Sequence, residues 1–155
     1  MSGMPRFALP LVKLMQYHHY KSNQRIALYL YRLMKLHLTT SEGNYLITGY
    51  GDNWVEINKT RYQHSIILLP DRLITDWLAT DFETLVPAHF QPIAEMQPEV
   101  VLLGTGAKHR FIHPRISQLL IEKGISLECM DTAAACRTYN ILMSEGRLVA
   151  AALLI

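Results

Sequence analysis

Residues 126–154 constrain the fold more than any other stretch of this chain. Ser126–Met130 reads as a short buried strand, and Asp131 follows it with a carboxylate able to accept the first free N–H groups of a helix. Residues 132–145 then give a helix of about four turns. Gly146 supplies a helix stop, and residues 147–154 form an apolar run of strand type. Strand, capped helix and strand in this order make half of an α/β domain.

The preceding segment has the same grammar. Residues 100–103 read as a strand, Gly104-Thr105-Gly106 as a loop, residues 114–123 as a helix, and Gly124 as its stop. Such alternation implies parallel neighbours joined by right-handed crossovers. The first half differs. Short β-like runs at 35–38, 45–48, Trp54–Ile57, 60–65 and Ile66–Leu69 are separated by Gly43-Asn44, Gly49-Tyr50-Gly51-Asp52 and Asn58-Lys59, which predicts an antiparallel portion. Pro70-Asp71 ends that portion, and residues 74–78 read as one more strand. A short helix is expected to begin at Pro87, limited or kinked by Pro92.

The eleven residues Met130-Asp131-Thr132-Ala133-Ala134-Ala135-Cys136-Arg137-Thr138-Tyr139-Asn140 carry a family resemblance. So do Ile47-Thr48-Gly49-Tyr50-Gly51, the stretch from Pro98 to Gly106, and Glu145-Gly146-Arg147. Together they resemble the family of domains of unknown function 498, whose eukaryotic members include a mitochondrial complex I assembly factor and an adipogenesis-associated protein. The resemblance runs from about residue 34 to residue 155 in the family's order and spacing. It implies a three-layer α/β fold, a central mixed β-sheet flanked by helices with additional β-structure from the first half. Most members of the family have no assigned activity, so it implies a fold more firmly than a function.

With 50% of its 155 residues hydrophobic and 18% charged, the chain suffices for one sizeable core, expected over residues 34–155. No apolar run approaches the roughly 20 residues that span a bilayer, because Arg32, Lys35 and His37 interrupt the best stretch. Cys129 and Cys136 are too few for a disulfide framework and match no common zinc spacing, so a reducing compartment is expected. Residues 1–41 hold six Lys or Arg and no acid, leaving nine basic and thirteen acidic residues beyond, a net charge of −4. A mildly acidic domain argues against nucleic-acid binding. Residues 1–33 lie outside the resemblance, and the expectation for them is an unstructured extension or an upstream start. A basic amphipathic helix lying on a membrane surface is the sharper alternative. The expected location is the cytoplasm, with peripheral membrane association through 1–33, or the mitochondrion in a eukaryote.

In parallel α/β sheets, loops after strand C-termini line the ligand crevice. Gly104, Thr105 and Gly106 form one such loop and Asp131 and Thr132 another. If their strands are neighbours, both face one groove with exposed N–H groups available to an anion. The third glycine of a dinucleotide fingerprint is missing, His109 standing in its place, and no Walker lysine follows; no cofactor is expected. Cys136, beside Arg137, is a weak candidate nucleophile, since a guanidinium lowers a thiol's pKa. It also sits in a run of small residues that lets a helix pack closely on a sheet. Arg137 and Tyr139 are ligand candidates too, although their preferred role, with Asn140, is anchoring: Arg137 on a carboxylate such as Asp52 or Asp131, Tyr139 on a loop carbonyl. His109 and His113 are four apart, but Pro114 disfavours a helix there, so no metal site is expected.

Two functions follow from this weighing. The leading one is a non-catalytic protein-interaction or assembly module, as the resemblance implies, with a protein partner of respiratory-complex or membrane-associated kind. Tyr50, Trp54, Trp77, Phe90 and Tyr139 are the aromatics from which a contact patch would be drawn. The alternative is a binding protein or enzyme for a small anion at the Gly104-Thr105-Gly106 loop and the helix end after Asp131.

Overall fold

The computed structural model describes residues 43–155. The expected strand at 35–38 and the basic segment 1–33 lie outside the described residues. Strands β1 (Ile47–Gly51), β2 (Trp54–Ile57) and β3 (Thr60–Tyr62) form an antiparallel three-stranded sheet in that order. A five-stranded sheet has the order β5-β4-β8-β6-β7, built from β4 (Ile66–Leu69), β5 (Arg72–Ile74), β6 (Val100–Gly104), β7 (Ser126–Met130) and β8 (Val149–Leu153). In it β8 runs parallel to β6 and antiparallel to β4, which makes the sheet mixed, as the family resemblance implies. Helices α1 (Gln91–Met96), α2 (Gln118–Glu122) and α3 (Thr132–Ser144) complete the set, with a 3-10 turn at Pro87–Phe90 leading into α1.

The inner strands β4, β8 and β6 are covered on both faces and so read as continuous apolar runs, whereas the edge strand β7, expected to be buried, is partly exposed, with Ser126 and Glu128 in solvent. Ile67, Leu69, Val101, Leu103, Ala150 and Ala152 face Phe90, Ile93 and Leu120 of the short helical segments. Ile66, Leu68, Val100, Leu102, Ala151 and Leu153 face Ala135, Cys136, Tyr139 and Met143 of α3, joined there by Val55 and Ile57 from the small sheet. Three layers result. The connection from β6 steps outward to β7 and that from β7 steps back past β6 to β8. With one handedness of crossover, this reversal requires α2 and α3 to lie on opposite faces.

Both predicted glycine stops are Schellman closures. At Gly146 (φ 75°) the N–H of Gly146 reaches Met143 O at 2.9 Å and that of Arg147 reaches Leu142 O at 3.1 Å. At Gly124 (φ 67°) the same pair joins Gly124 to Ile121 O at 3.0 Å and Ile125 to Leu120 O at 2.9 Å. Asn58 (φ 48°) and Lys59 (φ 69°) form a two-residue hairpin turn with both residues left-handed, the form that matches strand twist.

Four expectations about elements need correction. Gly49-Tyr50-Gly51 is strand, not turn, and the turn is Asp52-Asn53. The two glycines are there because the Trp54 indole lies across them: a Cβ on Gly51 would sit 2.4 Å from Trp54 Nε1, and one on Gly49 3.2 Å from its ring. Pro70-Asp71 is the two-residue turn of the β4–β5 hairpin, so β5 begins at Arg72 and residues 75–78 leave the sheet. β3 stops at Tyr62, where Gln63 and His64 turn outward to solvent. Residues 114–117 are turns, leaving α2 only five residues long.

Candidate functional site

The two loops predicted to share a groove do meet, and the geometry there is a hydrogen-bonded joint. Gly104 ends β6 so close to α3 that a Cβ would lie 3.0 Å from Thr132 Cα and 3.1 Å from Leu153 Cδ2. Thr132 Oγ1 accepts from Gly106 N at 3.0 Å and donates to Leu154 O at 2.8 Å, while Thr132 N donates to Gly106 O at 2.9 Å. One hydroxyl therefore ties the β6 loop, the head of α3 and the end of β8. Thr105 is 1% exposed; its N–H donates to Met130 O at 2.8 Å and its hydroxyl accepts from Arg110 N at 3.1 Å. The same hydroxyl lies 2.6 Å from Lys108 O and 3.0 Å from Met130 O. Asp131 caps α3 as expected, its Oδ1 accepting from Ala134 N at 2.8 Å. The N–H groups of Thr105, Gly106, Thr132 and Ala134 are thus already bonded within the fold.

Beyond the joint, α3 presents its polar residues to the small sheet. Tyr139 is fully buried and donates its hydroxyl to Tyr45 O at 2.8 Å, the loop-carbonyl anchor anticipated; burial pushes its pKa up. Asn140 accepts from Ile47 N at 3.1 Å and donates to Ile47 O at 2.8 Å, so its amide pairs with β1 as a strand residue would. Arg137 departs from expectation. It is exposed and donates to the Tyr50 hydroxyl at 3.0 Å, and it belongs to none of the ion pairs among the described residues. That hydrogen bond is the main reason its pKa is raised.

Cys136 is fully buried among the apolar residues of α3 and the sheet, and burial pushes its thiol up to about 12 from an ordinary 9.0, outweighing the lowering effect of Arg137. A thiolate nucleophile there is chemically disfavoured. Cys129 on β7 is half-buried, and its thiol is likewise raised by burial. His109 lies against Phe111 with ring centroids 4.4 Å apart and planes tilted by 57°, whereas His113 Nδ1 accepts from Arg115 N at 3.2 Å. No group of three or more potential metal ligands occurs among the described residues.

Among the surface clefts of the described residues, two border candidate or exposed apolar residues. A cleft of about 360 Å³ runs between the Asp52-Asn53 turn and the joint, with Tyr50, Trp54, Gly106, Asp131 and Thr132 among its walls. A second, of about 450 Å³, lies along β7, flanked by Phe111 and Ile121, which are 81% and 59% exposed. Of the expected contact aromatics, Trp77, Phe90 and Tyr139 are core, and Tyr50 and Trp54 reach the first cleft. Phe111 was not anticipated. Its signal was modest: an apolar residue between Arg110 and a Pro-terminated loop, where no periodicity demands burial.

A mixed sheet with helices on both faces, its strand ends tied together by Thr105 and Thr132, defines an α/β domain. The chain belongs to the family described as "Protein of unknown function (DUF498/DUF598)", which it matches over residues 47–154. It is 31% identical over 129 residues to the mouse protein "NADH dehydrogenase [ubiquinone] 1 alpha subcomplex assembly factor 3", covering 81% of this chain and 69% of that protein. The "13 kDa major membrane protein" of Francisella tularensis is 30% identical over 94 residues, 60% of this chain and 76% of that one. A crystal structure of a Bordetella parapertussis protein superposes with a TM-score of 0.69 at 37% identity, covering 74% of this chain and 98% of the other, and it supports the α/β fold.

Proposed function

We propose that this chain is a non-catalytic protein-interaction module of the assembly-factor kind. The observation that carries the reading is the exposed apolar surface of Phe111 and Ile121 along the β7 groove, since large apolar side chains left in water mark contact sites. β7 is an edge strand, and edges are surfaces to which another chain can add. The reading is supported by the assembly-factor name of the mouse relative and by the consumption of Thr105, Cys136 and Tyr139 in packing and hydrogen bonds. The partner in this reading is a subunit of a respiratory complex or a membrane-associated protein, which the assembly-factor name of the mouse relative supports. The module itself has no helix long and apolar enough to cross a membrane among the described residues.

The test is co-purification of the tagged full chain from its own cells, membrane fraction included, against Phe111→Glu/Ile121→Glu. Both positions are exposed, so the double variant keeps its fold, checked by circular dichroism. Respiratory-complex or insertion-machinery subunits recovered with the wild type and lost with the variant support the reading. Recovery of no protein above a tag control overturns it.

A further inference from the structure

The cleft between the β1–β2 turn and the head of α3 has a chemistry opposite to the one its loops predict. Among the described residues its walls include two carboxylates, Asp52 and Asp131, and no Lys, Arg or His. Asp131 spends one oxygen on Ala134 N and is attracted to the Arg137 guanidinium without forming an ion pair with it, while Asp52 has neither a hydrogen bond nor an ion pair among the described residues. The positive end of α3 is answered by the Asp131 cap itself. The amides of Gly106 and Thr132, which an anion would need, are bonded to one another's residues. Of the cations near it, Arg137 holds the Tyr50 hydroxyl and Arg61 stacks on Trp54 at 4.0 Å while pairing with Glu56 at 3.4 Å; Lys108, which follows Ala107 of the wall, is exposed and outside the lining. Tyr50, Trp54, Val55 and Leu154 give the same cleft apolar and aromatic wall, with Asn53 and Thr132 adding neutral polar groups.

Such a cleft is complementary to one kind of side chain, a long aliphatic stem ending in a cation. We infer that it receives a Lys or Arg side chain projecting from an extended segment of the protein partner, its stem against Tyr50 and Leu154 and its head between Asp52 and Asp131. This rests on the interaction reading and adds the chemistry of the recognised residue. Charge sign is the argument: a basic group gains two charge-assisted contacts here, and a phosphate or carboxylate would meet two like charges.

The full-length chain is titrated, with backbone amides and the Trp54 indole N–H followed by NMR, using acetyl-Leu-Arg-Leu-amide, acetyl-Leu-Glu-Leu-amide and inorganic phosphate. The basic peptide is expected to shift residues 51–54, 106–107 and 133, more weakly as salt rises. Asp52→Asn/Asp131→Asn should weaken it about tenfold or more, the loss of a charged contact. Asn at 131 retains the cap, so the fold is kept. Phosphate or the acidic peptide moving the same amides, equal binding by the double variant, or no movement there with any probe would overturn the inference. If partners co-purify with the wild type while the cleft stays silent, the cleft assignment fails and the interaction reading stands. If neither partners nor peptide bind, both fail.

Discussion

Thr132→Val tests whether the joint at the head of α3 holds the domain together. Valine keeps the shape of threonine and its branching, so packing against Gly104 and Leu153 is little changed. What disappears is one hydroxyl and the two bonds it makes, 3.0 Å from Gly106 N and 2.8 Å to Leu154 O. Leu154 is 3% exposed, so its carbonyl is left without water, whereas the half-buried Gly106 N–H is partly rescued by solvent. An unmade buried hydrogen bond costs about 1–3 kcal/mol, and one partly solvated group and one dry group together cost about 2–4 kcal/mol. With a urea slope of about 1.5 kcal/mol/M, the unfolding midpoint should fall by about 1.3–2.7 M. Thr132→Ser keeps the hydroxyl and should lose less than half as much. Urea unfolding followed by far-ultraviolet circular dichroism measures both. A Thr132→Val midpoint within about 0.3 M of wild type, or a Ser variant as unstable as the Val one, would refute the reasoning.

Three further outcomes follow from the same geometry. Gly51→Ala should drive the Trp54 indole off β1 and away from Arg61, giving a red-shifted fluorescence component and a loss of about 1–2 kcal/mol, because the added Cβ would meet the ring; unchanged emission would contradict the contact. Tyr139→Phe should destabilise by about 1 kcal/mol in chemical denaturation by stranding the Tyr45 carbonyl, and a neutral result would mean that carbonyl is solvated. Cys136, with its thiol raised from 9.0 to about 12, should resist thiol reagents in the native state at neutral pH and react in denaturant. The sign for stability follows: this thiol's contribution is complete below pH 9.0 and declines as pH climbs towards about 12, because the unfolded chain ionises first. A Cys136→Ala variant should show a flatter alkaline limb, and identical limbs would contradict the raised value.

The C-terminal third was legible in the sequence because its signals are local. Asp131 caps, Gly124 and Gly146 stop, and α3 begins where the cap places it. The first half misled where a residue's reason lies on another strand: Gly49 and Gly51 look like turn residues until Trp54 is seen across them. Pro70-Asp71 looks like an end because a two-residue hairpin turn and a terminus use the same residues. The position of β8 between β4 and β6 came from no periodicity, since strand order is a long-range property; only the family resemblance implied a mixed sheet. The meeting of Gly106 with Thr132 was foreseeable from two adjacent parallel strands, and it occurs. That the hydroxyl of Thr132 would consume the Gly106 amide was not legible, because it depends on the approach distance that Gly104 permits. Asn140 acting as a strand partner for Ile47 has no sequence signature at all.

The central claim, that this domain works by presenting the Phe111 surface to another protein, is tested most directly by placing a photo-crosslinking phenylalanine analogue at position 111 in the full chain and irradiating its own cells. A control analogue goes at exposed Gln63, away from the groove. The account predicts a discrete protein adduct at 111, absent at 63 and enriched in respiratory-complex or membrane-associated subunits. No protein adduct at 111, or the same adducts from both positions, would contradict it.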